Sequence, residues 1–254
     1  MKANALIIAV LLPVAVAAAD YTTCFHVIAR NEVASIQGDL DCTAVPDTVS
    51  FVLENGARLE LNGHSMTGNS SSSAVVCRGR CAIAGPGTMS GYGRAIYGEH
   101  GAVELSDLVL VDNDNSIDVV GRLTASRIVA TSNRYGVRAS GTMRLSDVSV
   151  SNSGGDGILG PRIVGDGVTV SNCHTAVSST GRVRLTGLTS TSNLYGVVAR
   201  RIVLTDSVLD AGFPDVLSLR RPVLVDTVCG TSSSLVPKPG GFDIGPTWGV
   251  CAND

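Results

Sequence analysis

Lysine is almost missing from this chain: it occurs at Lys2 and Lys238 and nowhere between. Aromatic residues make up 4% of the 254 residues, and charged residues 16%. After residue 48 no stretch carries the apolar stripe of an amphipathic helix, which excludes an ordinary helical protein. Beyond the opening segment no uncharged, glycine-free run is long enough to cross a bilayer, so no membrane span is expected. The net charge of −3 is too mild to argue for a nucleic-acid partner.

What is present is organised from the first residues. Lys2, the apolar run Ala5 to Val16 and the small triplet Ala17-Ala18-Ala19 have the order of a secretory signal with cleavage after Ala19. The expectation is a secreted or periplasmic protein. All seven cysteines lie in the mature part, and in an oxidising compartment they imply disulfides. An odd count leaves one over. The plausible local pairs are Cys24–Cys42, Cys77–Cys81 across Arg78-Gly79-Arg80, and Cys229–Cys251. Cys173 is then free, a small buried side chain. Composition shifts divide the chain into the signal (1–19), an N-terminal cap and first coil (20–48), a repetitive region (49–228) and a C-terminal cap rich in proline and glycine (229–254).

The repetitive region has a period near twenty residues. The apolar residues Ile96, Ile117, Val137, Ile158, Val177, Val197 and Val216 open successive units. Within each unit a second alternating segment follows, then a third, then an asparagine: Asn113, Asn133, Asn152, Asn172, Asn193. Three short strands per unit without helices predict a coil with three corners, each strand pairing in parallel with its copy about 4.8 Å away. The asparagines are expected to stack as one column of amides. A leucine-rich repeat has a similar period, but no unit carries its Leu-x-x-Leu-x-Leu consensus. The predicted fold is all-β, a single-domain right-handed parallel β-helix of roughly nine coils with disulfide-closed caps.

Two stretches go further. Gly38-Asp39-Leu40-Asp41-Cys42, followed by Leu59-Glu60-Leu61-Asn62-Gly63-His64 with Gly68, resembles the opening coils of bacterial pectin-lyase-like right-handed β-helix repeat proteins. The resemblance implies the fold. It implies function poorly, because that scaffold hosts lyases, hydrolases, epimerases, adhesins and inert spacers.

Enzymes on this scaffold mostly act on acidic polysaccharides from an outer sheet face, so outward columns that carry charge are the candidates. The position just before the second segment reads Arg122, Thr142, Arg162, Arg182, Arg201 and Arg221. Stacked arginines would track a polyanion such as a uronate polymer, and the expected partner is an acidic polysaccharide. The plainer alternative is a solvated face in a protein that uses arginine for lysine. A second column reads Asp107, Arg127, Asp147, Gly167, Gly187, Asp206 and Asp226. Asp107, Arg127 and Asp147 are the weak catalytic candidates under a lyase or epimerase reading, where Ca²⁺ would be the only cofactor. Against them stands an exposed salt-bridge ladder of little energetic weight. No metal is otherwise expected: His64, His100 and His174 have no partners at ligand spacing. The Asn-Thr-Asp, Gly-His-Gly and Arg-Ile-Lys stretches of polygalacturonase-like hydrolases are missing, as is the Asp-Pro-His-Glu of alginate epimerases. The leading expectation is glycan binding without catalysis; a structural rod is the third.

Overall fold

The computed structural model describes residues 19–44 and 48–254; the expected signal segment, save Ala19, lies outside the described residues. All regular structure among them is β. The chain winds through about nine coils of a parallel β-solenoid, and each coil contributes a strand to each of three faces. Ile96, Ile117, Val137, Ile158, Val177, Val197 and Val216 are direct partners in successive strands of the first face, all essentially buried. The reason is period-2 alternation: in Arg122–Thr131 the inward positions Leu123, Ala125, Ile128 and Ala130 are buried while Arg122, Thr124, Arg127 and Val129 stay exposed. Each inward Val or Ile contributes on the order of 1.5–3 kcal/mol on burial.

Arg122–Thr131 and its neighbours Ala102–Val111 and Thr142–Ser151 each turn a corner midway, passing from the second face to the third. The corner residue adopts the left-handed conformation in every coil from there on. Asp107, Arg127, Asp147, Gly167, Gly187, Asp206 and Asp226 have φ between 46° and 64°. Glycine enters this region freely and Asp more readily than most, because its short side chain bonds locally. The second charged column of the sequence therefore has a conformational cause.

The asparagines do not form one column. They resolve into two, which corrects the sequence expectation. Asn113, Asn133 and Asn193 are buried and share an internal position with Ser153 and Cys173. Here each side-chain oxygen accepts the backbone N–H of the preceding coil: Tyr92 to Asn113 at 3.0 Å, Asn113 to Asn133 at 2.9 Å, Cys173 to Asn193 at 2.8 Å. Each amide nitrogen donates back to a carbonyl, those of Met89, Leu110 and Val170. Asn152 and Asn172 occupy the residue before, a left-handed corner shared with Asp112, Ser132 and Ser192. Both positions suit asparagine, one for its amide and the other for its backbone tolerance, which is why the sequence register slips by one.

The two family-like stretches meet in space. Leu40 pairs with Met66, and the Asp39 carboxylate accepts the Ser65 N–H at 2.8 Å with His64 Nδ1 3.6 Å away. That backbone hydrogen bond holds the Asp39 carboxyl below the usual carboxylate range. Gly68 is required by packing: a Cβ there would lie 2.1 Å from the ring of Tyr92, which is fully buried.

The three expected disulfides are formed, and Cys173 is free and buried. Burial pushes its thiol up, away from the reactive thiolate. At the N-terminal end the rings of Tyr21, His26 and Phe51 pack together, 4.2–5.8 Å between centroids, beside Cys24–Cys42. At the other end Ser232–Lys238 first pairs in parallel with Val216–Ser218, then folds back against Gly241–Thr247 as an antiparallel hairpin. The buried carboxylate of Asp215 ties this end down, accepting N–H groups of Ala211 (2.6 Å), Gly230 (2.5 Å) and Thr231 (3.1 Å).

Candidate functional site

The arginine column lies on the outer side of the second face. Thr142 pairs with Arg162, Arg162 with Arg182, and Arg182 with Arg201. Arg122 takes the place one coil before Thr142, since Leu123 pairs with Met143. Arg221 follows Arg201 in register, since Val203 pairs with Val223. Alternation fixes the face: Leu123, Met143, Ile163, Val183 and Ile202, each one residue after a column member, all point into the core.

A second basic column runs beside the first, two residues further along each strand, and a single-column reading of the sequence missed it. Its members are Thr124, Arg144, Val164, Arg184 and Val203, with Arg144 paired to Val164 and Val164 to Arg184. Outward positions recur every second residue, so extending the column by two would have found Arg144 and Arg184. As far as Arg182 and Arg184 the columns line a surface groove of about 570 Å³, walled by Arg80, Arg122, Arg144, Arg162, Arg182 and Arg184.

Charge pairing divides this groove. At its N-terminal end Arg80 reaches Glu104 at 3.1 Å, and one coil earlier on the same face Arg58 holds Glu60 at 2.9 Å. From Arg122 onward, Arg122, Arg144, Arg162, Arg182, Arg184, Arg201 and Arg221 have no carboxylate within 4.0 Å among the described residues. The Nε of Arg182 is shielded from solvent and has no acceptor. An unmet buried donor costs roughly 1–3 kcal/mol, and more when charged. Stacked like charges at strand spacing also repel. The groove thus concentrates positive charge that the chain itself does not neutralise.

The second candidate cluster is arranged differently. Arg127 grips Asp107 bidentately, Nε to Oδ1 at 2.5 Å and Nη2 to Oδ2 at 2.7 Å. That pair holds the Asp107 carboxyl below the usual range and pushes the Arg127 guanidinium up. Asp147 has no ion pair with Arg127 and takes its hydrogen bond from the Ser146 hydroxyl at 3.3 Å. All three sit at left-handed corners, so their spacing follows the coil geometry. Among the described residues no group of three His, Cys, Asp or Glu side chains converges as a metal site. His174 packs against the ring of Tyr195, 5.5 Å between centroids.

No family model, no curated protein and no solved structure matches the chain. Function must be read from the groove itself.

Proposed function

We propose that this chain is a secreted or periplasmic protein of the pectin-lyase-like kind, and that it holds an acidic polysaccharide along the arginine groove. The observation that carries the reading is the set of seven arginines on this one face, from Arg122 to Arg221, that have no carboxylate partner among the described residues, where the face's earlier arginines are paired. Arginine suits the task because its planar fork meets a carboxylate with two parallel hydrogen bonds. Five coil steps separate Arg122 from Arg221, about 24 Å at strand spacing. Sugar carboxylates repeating at about the same interval as the coils would meet the stack in register. Three disulfides fit an oxidising compartment, where such polymers are found outside the cytoplasm.

The expected behaviour is binding of a polyuronate that weakens as salt rises, because exposed charges are screened beyond about 8 Å at physiological ionic strength. Titration calorimetry with polyuronate oligomers checks it. Changing Arg162 and Arg182 together to Gln should weaken binding by more than about tenfold. Unaltered affinity in that double variant would return the stripe to a solvated surface. An assay for unsaturated uronate products, run with and without Ca²⁺, separates binding from lyase action.

A further inference from the structure

The cations of the groove, continued by Arg201 on the same face, can be followed along a zigzag. Taking one arginine per coil, the path runs Arg122 in the first column, Arg144 in the second, Arg162 in the first, Arg184 in the second and Arg201 in the first. The single gap in the first column, Thr142, falls in a coil where the second column supplies Arg144. Conversely, where the second column carries Val164 and Val203, the first column carries Arg162 and Arg201. The columns stand two residues apart on the strand, roughly 6.6 Å, and successive coils roughly 4.8 Å apart. From Arg122 to Arg201 each step of about one sugar thus offers a cation on the side opposite the last, and the coil of Arg184 carries Arg182 on the first side as well.

We infer that the groove selects a flat, ribbon-like uronan whose successive carboxylates point to opposite edges. The inference rests on the acidic-polysaccharide reading and adds the stereochemistry of the polymer. Equatorial 1,4 linkages turn each sugar about half a revolution relative to the last, so acidic groups leave the ribbon left and right in turn. Arg122, Arg162 and Arg201 receive one edge; Arg144 and Arg184 receive the other. Val164 and Val203 lie in the second column between and beyond those two arginines and give apolar floor to the sugar ring. A polymer with axial linkages coils instead, and its carboxylates leave the line of the two columns. Arg182 adds a second cation beside Arg184 in the same strand.

The test compares two hexasaccharides of equal charge, one an equatorially linked β-1,4-uronan and one an axially linked α-1,4-galacturonan. Binding is measured by calorimetry to the full mature protein, to two double Gln variants and to one double Lys variant. In one, Arg144 and Arg184 become Gln; in the other, Arg122 and Arg162 do. The expected result is a preference of the intact protein for the ribbon of about tenfold or more. Loss of Arg144 and Arg184 should remove that preference and leave both oligomers bound at similar, weaker affinity. Replacing the same two by Lys should restore part of the affinity but less of the preference, since an ammonium lacks the fork. Circular dichroism on each variant checks that the coils persist. Equal affinity of the intact protein for both oligomers overturns the zigzag and leaves the acidic-polysaccharide reading standing. Failure of both oligomers to bind the intact protein overturns the zigzag and the acidic-polysaccharide reading together.

Discussion

Tyr92 shows how one side chain can tie the fold to pH. It lies buried beneath Gly68, with its hydroxyl 3.3 Å from the Ser50 hydroxyl. Burial pushes its phenol up to about 12, against about 10 for a solvated tyrosine. A raised folded value means that the stabilising term is fully present below about pH 10 and is lost as pH climbs towards about 12. The difference corresponds to roughly 2–3 kcal/mol. The protein should therefore lose melting temperature across that interval, and Tyr92→Phe should flatten the loss while keeping the ring. Thermal melts followed by circular dichroism at stepped pH give the answer; an unchanged slope in Tyr92→Phe would mean that another group governs. At the same scale, Arg127 departs from the Asp and Gly that dominate its corner, and its bidentate bond to Asp107 gives that side chain a fixed partner.

At the scale of the repeating element, the internal amide ladder is the feature most open to improvement. Asn113, Asn133 and Asn193 each join neighbouring coils, but Ser153 and Cys173 interrupt the run. The Ser153 hydroxyl finds no hydrogen-bond partner among the described residues, and the Cys173 thiol is a weaker donor and acceptor than an amide. Cys173→Asn should let the new side-chain oxygen accept from the coil before and its nitrogen donate to a carbonyl, as in Asn133. The expected gain is about 1 kcal/mol, a typical net value for one added hydrogen bond. Asn133→Ala should cost about 1–3 kcal/mol, because it strands the Asn113 N–H. Chemical denaturation of both variants measures the pair, and a destabilised Cys173→Asn would show that the cavity there is too tight for an amide. The coil period, the inward apolar columns and the outward arginines of one column were all legible in the sequence, because each depends on alternation along a single strand. The second basic column was legible by the same rule, two residues along each strand, once outward positions are read beyond the first. The split of the asparagines was not: it depends on which of two adjacent positions faces inward, and a nineteen- to twenty-one-residue period blurs that by one residue.

For the whole molecule, the ends decide whether the coils stay single. A solenoid exposes unpaired strand edges and apolar columns wherever it stops. The N-terminal end is covered by the Tyr21, His26 and Phe51 rings with Cys24–Cys42, the C-terminal end by the hairpin, Asp215 and Cys229–Cys251. Val223, Val225 and Val228 remain exposed near the second end. Replacing Cys229 and Cys251 by Ser should free the tail and uncover these strands. Light scattering should then rise on warming before the β signal of the middle coils falls. Coincident loss of both would indicate that the cap and coils unfold as one unit.

The sequence by itself determined the repeat, the parallel β-helix, the composition of its core and the three disulfide partners. These follow from periodicity and from short-range chain geometry, both of which are written along the chain. Only the tertiary structure decided which charges meet. Arg58 and Arg80 are neutralised by Glu60 and Glu104, while on the same face Arg122, Arg144, Arg162, Arg182, Arg184, Arg201 and Arg221 have no ion-pair partner among the described residues. It also decided that Arg144 and Arg184 join the groove, and that Asp107, Arg127 and Asp147 stand in a line because a corner needs left-handed residues. The physical reason is that side chains a coil apart become neighbours only when strands stack, and the sense in which each one points is set by a backbone turn that a one-residue shift reverses.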